Sequence, residues 1–191
     1  MPIEPLTHPD ATHDPAGYKQ ALLDIIESHA QEPLEVISRT TATMRDLVAG
    51  VSEEALHAEP EPGEWSAKDV VAHLFDVDIV YGFRWRLVLT WDNPTYPGYD
   101  EKLFTPLPRL PFWQMLGAWE GLRAMNVVLL EQTPRELWTR EGFHGEQGGE
   151  TFDEMVRKLA AHDLVHLNQA ARAIEAYDAA KGPGTADVAS H

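Results

Sequence analysis

Apolar residues recur every three or four positions along most of the chain, the spacing of a single buried helix face. From Pro15 to about Ala30 the stripe is Tyr18, Leu22, Ile25 and Ile26, and Pro15 suits a first helical turn, where its missing N–H costs nothing. A second run carries Leu34, Ile37, Thr41, Met44, Leu47 and Val48 along one side and stops near Gly50. Pro60, Pro62 and Gly63 mark residues 51–65 as a connection. Ser66 can then cap a helix with Asp69 three residues on, and the helix runs to about Trp91. Its stripe is Val70, His73/Leu74, Val77, Tyr81, Trp85 and Val88, so His73 falls on the apolar side.

Residues 92–110 contain Pro94, Pro97, Gly98, Pro106 and Pro108. A loop of that length is uncommon and often functional, and both a lid and an interface element are compatible with it. A third long helix spans about Pro111–Gln132, with Phe112, Met115/Leu116, Trp119, Leu122, Asn126 and Leu129/Leu130 on its face. After a short turn at Thr133–Glu136, glycines at 142, 145, 148 and 149 predict a flexible connection over 139–150. Thr151 and Glu154 form a capping-box pair for the last helix. Its stripe is Phe152, Met155/Val156, Leu159, His162, His166, Gln169/Ala170, Ala173 and Tyr177, and it ends before Gly182-Pro183-Gly184. No period-2 strand of useful length is visible. The expected fold is all-α, an antiparallel four-helix bundle with an extra N-terminal helix. Residues 1–14 are expected to be a flexible lead-in, 15–180 the bundle domain, and 181–191 a disordered tail.

Composition narrows the chemistry. The 191 residues are 43% hydrophobic, enough for one packed domain. There is no cysteine, which removes disulfides, thiolate metal sites and a cysteine nucleophile together. Thirty-one acidic against 15 basic residues give a net charge of −16, which disfavours nucleic acid and anionic lipid as partners. No apolar run reaches a membrane-spanning length, and the first residues do not resemble a signal peptide, so a cytoplasmic protein is expected.

Any metal must therefore use His, carboxylate or neutral oxygen. His162 and His166 lie one helical turn apart on one face, where two neutral imidazoles can share one ion. Buried histidines also commonly do no more than find hydrogen-bond partners, for this pair and for His73 alike. His162-Asp163-Leu164-Val165-His166 departs from the zinc-protease H-E-x-x-H pattern at Asp163, which is shorter than glutamate and points partly away from the histidine face. His144, in the glycine-rich connection, is a candidate to line the site but is better expected on the surface, and Asp76 is expected to be an exposed carboxylate. Asp76, Asn126 and Gln169 are positioned to orient an imidazole or to contact a substrate. Arg84, Arg86 and Arg123 are candidates to meet an anionic substrate, although most helical arginines are solvated. No G-x-S-x-G is present to support serine hydrolase chemistry.

Two segments carry a resemblance. Gly63-Glu64-Trp65-Ser66-Ala67-Lys68-Asp69-Val70-Val71-Ala72-His73-Leu74 resembles the opening of the second helix in the DinB-like four-helix-bundle superfamily. Gly149–Glu154 followed by His162–Gln169 resembles its last helix, and the layout covers about residues 30–178. The resemblance implies a divalent transition metal, zinc or nickel, held by His73, His162 and His166. It also implies a small-molecule substrate, a homodimer, and either hydrolase or transferase chemistry. The transferase would use an external low-molecular-weight thiol. The rival expectation is a non-catalytic bundle stapled by its metal and serving as a binding or stress-response protein.

Overall fold

The computed structural model describes residues 14–29 and 31–181. Most of the expected lead-in and tail lies outside the described residues. Seven helices follow in order: α1 (Pro15–Ser28), α2 (Pro33–Leu47), α3 (Glu53–His57), α4 (Ala67–Thr90), α5 (Glu101–Phe104), α6 (Phe112–Gln132) and α7 (Phe152–Lys181). Helix starts follow the capping residues. Ser66 and Asp69 form a reciprocal capping box at α4. Thr151 and Glu154 do the same before α7, with the Thr151 N–H donating to Glu154 Oε2 at 2.7 Å and the Glu154 N–H to Thr151 Oγ1 at 3.1 Å.

Helices α2, α4, α6 and α7 form a four-helix bundle, and α1 packs outside it on α7. Two apolar clusters fill the two ends. One gathers Ile37 of α2, Trp85 and Val88 of α4, Leu130 of α6 and Phe152 of α7. The other gathers Met44, Val70, Leu116 and Ile174 from the same four helices. The order of these residues along each helix sets its direction. Helices α2 and α7 run one way, α4 and α6 the other. Two helices thus run each way, and the neighbours α4 and α6 run side by side in the same direction, as do α2 and α7. Gly82 permits the close contact of α4 and α6, since a Cβ there would lie 2.6 Å from Asn126 Oδ1.

Parallel neighbours need a connection that returns the length of the bundle. Helix α4 is about 36 Å long at 1.5 Å per residue. The segment between Trp91 and Pro111 is the return path. That is the physical reason for the long proline-rich stretch, and α5 is its one helical turn.

A small sheet departs from the all-helical expectation over 139–150. Strand β1 (Thr95–Tyr96), β2 (Glu141–His144) and β3 (Gly148–Thr151) pair in the order β1-β2-β3, the first pair parallel and the second antiparallel. Gly148, at φ +81°, makes the tight turn between β2 and β3. The sheet ties the start of the return segment to the start of α7. Among the described residues no helix is long and apolar enough to cross a membrane.

Candidate metal centre

Two antiparallel helices bring the three histidines of the apolar stripes together. His73 comes from the second turn of α4, and His162 and His166 from the middle of α7. All three are buried. Their donor nitrogens lie within 4.8 Å of one another. Nε2 of His162 is 3.1 Å from Nε2 of His73 and 3.1 Å from Nε2 of His166.

The tautomers test whether this cluster fits a cation. Gln169 Oε1 can only accept, and it lies 2.8 Å from His166 Nδ1, so that nitrogen carries the proton and His166 Nε2 presents a lone pair to the centre. A single proton on His162 Nε2 can serve one of its two Nε2 neighbours well. A cation at the centre serves all three nitrogens. The spacing agrees, because nitrogens at the usual zinc distance stand about 2.9–3.4 Å apart at coordination angles between octahedral and tetrahedral. The residues present fit a divalent ion.

Aromatic rings fix the imidazole planes. Trp65, the residue before the α4 cap, packs on His73 at 4.7 Å between centroids and stacks on His166 at 5.9 Å with a 22° interplanar angle. Tyr99, on the return segment, also stacks on His73, at 5.9 Å with a 27° interplanar angle. Burial, then the charges of Asp76 and Glu101, holds its phenol protonated well above the ordinary tyrosine range.

The supporting residues divide. Gln169 is at the site and orients His166. Asp76 is buried, not exposed; it pairs with Arg109, whose Nη1 donates to Oδ1 at 2.7 Å, and so pins the return segment one turn from His73. Asn126 is buried away from the histidines, and its Nδ2 donates to Asp78 O and Oδ1, each at 3.0 Å. Arg123 is also buried, not solvated. It sits between Asp163 and Asp78, with the Trp119 indole N–H donating to Asp78 and the Thr40 hydroxyl to Asp163. Burial opposes its charge, but Asp163 and Asp78 override that and hold the guanidinium protonated. One polar network thus links all four bundle helices behind the histidines.

The histidines open on a cavity of about 860 Å³. Its walls include Tyr18 of α1, Val77, Tyr81 and Arg84 of α4, and His144 of β2. His144 is 3% exposed, against the surface position expected from its glycine-rich surroundings. Its Nδ1 accepts from the N–H groups of Glu146 and Gln147, both at 3.2 Å. Burial, then the cations Arg84 and Lys158, pushes its pKa down to about 4, so it is neutral with its proton on Nε2. Trp65 and Tyr99 carried no sign in the sequence of packing on imidazoles. Arg84 is 6% exposed and lines the cavity rather than the surface.

Known proteins share this layout. The family model of the DinB superfamily matches residues 37–170. A protein of Oceanobacillus iheyensis named "Putative metal-dependent hydrolase" is 26% identical over 155 residues, covering 80% of this chain and 90% of that protein. A protein of the same name from Bacillus cereus (strain ATCC 10987) is 28% identical over 152 residues, covering 78% and 86%. Among solved structures, YfiT from Bacillus subtilis superposes with a TM-score of 0.69 at 21% identity, over 78% of this chain and 86% of that one. It is described as having "an unusual four-helix bundle topology".

Proposed function

The chain belongs to the DinB superfamily, and we propose that it is a metal-dependent hydrolase acting on a small molecule in the cavity, with His73, His162 and His166 as the metal ligands. The observation that carries this reading is the convergence of three buried imidazoles, with His162 Nε2 3.1 Å from Nε2 of both His73 and His166 and one ligand atom of each residue within 4.8 Å of the others. The names of the related proteins support hydrolysis as the reaction class.

Imidazole donors suit zinc and nickel, and three neutral ligands leave both the charge of the ion and part of its coordination free toward the cavity. Bound there, the ion would supply Lewis acidity and bring the deprotonation of water toward neutral pH. The rest is the work of the chain. Gln169 holds the His166 proton on Nδ1 and keeps Nε2 available. Trp65 and Tyr99 hold the rings against rotation and, with Tyr81, line the cavity. With no cysteine in the chain, no protein thiolate competes for the ion or attacks a substrate.

The test is elemental analysis of protein purified without added metal, followed by metal titration of His73→Ala, His162→Ala and His166→Ala. The expected result is one ion per chain, with each substitution weakening binding at least about tenfold while the fold is kept. Hydrolysis of a panel of small ester and amide substrates should stop on chelation and return on adding metal back. A wild-type protein that neither carries nor takes up a transition metal would remove the site.

A further inference from the structure

Among the described residues, Arg84 is a buried cation with no carboxylate in ion-pair contact. It is 6% exposed and lines the cavity. Its one hydrogen-bond acceptor among the described residues is Pro97 O, 2.6 Å from Nη2, which leaves most of its N–H fork unused. Glu150, which hydrogen-bonds the Tyr96 hydroxyl at 2.8 Å, is already committed to Lys158. Burying a guanidinium without a counter-charge is costly unless something else meets it.

The neighbours of Arg84 at this end of the cavity are donors too. The Arg84 guanidinium carbon lies 5.1 Å from the centre of the Tyr96 ring, and His144 packs edge-on against the same ring at 5.9 Å. His144 lends its Nδ1 to two turn N–H groups and presents Nε2–H. Tyr81, whose ring is 6.0 Å from the Arg84 guanidinium carbon, also lines the cavity and brings a hydroxyl that burial keeps protonated. Guanidinium, imidazole N–H and phenol O–H at one end of one cavity match an oxyanion and mismatch a cation or a plain apolar group. The exposed charged lining is of mixed sign, Glu61, Glu64, Asp100 and Glu146 with Lys102 and Arg172, so the preference for an anion rests on the buried donors around Arg84.

The placement along α4 adds a length. His73, Val77, Tyr81 and Arg84 all line the cavity, so they share one face of the helix. About 16 Å of helix axis separates the backbones of His73 and Arg84, and the arginine side chain leans back toward the histidine.

We propose that Arg84, His144 and Tyr81 form a carboxylate-binding subsite, so that the substrate is an elongated small carboxylic acid whose far end reaches the three histidines. The second half of this statement rests on the metal-site reading above; the first half stands on the cavity alone.

The test is calorimetric binding of butanoate, hexanoate and octanoate against the matching amides, on the protein as purified and after chelation. Wild-type protein should prefer a carboxylate over its amide by at least about tenfold, with or without metal, as expected for a charge-assisted pair. Arg84→Gln should lose that preference while keeping its affinity for the amide. If Arg84→Gln does not fold, Arg84→Lys, which keeps the charge but not the planar fork, should show a reduced preference. Equal affinity for acid and amide, no carboxylate binding to the wild type, or a preference untouched by Arg84→Gln would overturn the subsite. A preference that vanishes on chelation would assign the anion to the metal and also overturn it. A preference that persists in a protein unable to take up metal would keep the subsite and sink the metal reading.

Discussion

Asp163 stands between His162 and His166 in the sequence, yet its carboxylate leaves their face of α7 and forms a two-pronged pair with Arg123 of α6. Three residues of one helix thus serve two purposes. The histidines open to the cavity, and the aspartate locks the bundle behind them. This disposes of the zinc-protease comparison on geometry, because an acid on that side of the helix is not placed to assist at the histidines.

Arg123→Met should be strongly destabilising. It would leave Asp163 and Asp78 buried without their cation, at a cost of about 3–5 kcal/mol. Urea unfolding of the variant against wild type measures it. Replacing Arg123, Asp78 and Asp163 together with apolar residues of similar volume should recover much of the loss, because the cost lies in the orphaned charges. A single-variant loss below about 1 kcal/mol would mean that the network does not hold the bundle.

The long helices and the three histidines were legible because both are written in local periodicity. The expected helix spans differ from the observed ones by one or two residues at most ends, and the caps at Ser66 and Thr151 fall where the sequence puts them. What was not legible depends on contacts far apart in the chain. The parallel run of α4 and α6, and with it the reason for a long return segment, appears in no local pattern. Strand β2 misleads actively. It turns Phe143 outward, 52% exposed, and His144 inward, so the usual alternation of apolar-in and polar-out is reversed. Arginines 84 and 123 were hidden for a related reason: a buried charge is unexpected until its partners, or its cavity, are in view.

Gln169→Ala should weaken metal binding about 10–100-fold without a large change in melting temperature. The amide oxygen fixes the His166 tautomer from the outer side of the ring. Gln169→Glu, whose carboxylate accepts the same Nδ1–H, should restore binding. Competition titration with a chromogenic chelator reads both. Unchanged affinity in Gln169→Ala would show that the ring is held by packing on Trp65 alone.

His144 predicts a pH dependence of stability. Its folded-state pKa is pushed down to about 4, below the ordinary imidazole value near 6.5. Between these two values the unfolded chain binds the proton that the folded chain refuses, so stability falls as pH drops through that window and is fully present above it. His144→Gln should flatten the stability–pH curve by about one proton over the same range. Denaturant melts at several pH values measure this, and parallel curves for the two proteins would contradict the assignment.

The pair Arg109–Asp76 holds the return segment to α4 beside His73, and its loss should loosen that segment without unfolding the bundle. Arg109 also donates through Nη2 to Phe104 O at 2.9 Å, so one guanidinium anchors both the segment's α5 turn and its attachment to the helix. Behind it the bundle keeps both apolar clusters and the Arg123 network, of which Arg109 is not a member. In Arg109→Ala, amide exchange across residues 97–107 should quicken at least about tenfold, while exchange in the middle of α4 and α7 stays near wild type. Because Tyr99 stacks on His73 from this segment, metal should then bind and leave faster, with the affinity changed less than either rate. Exchange that quickens equally everywhere would mean that the segment is part of the global fold and not a separately opening wall of the cavity.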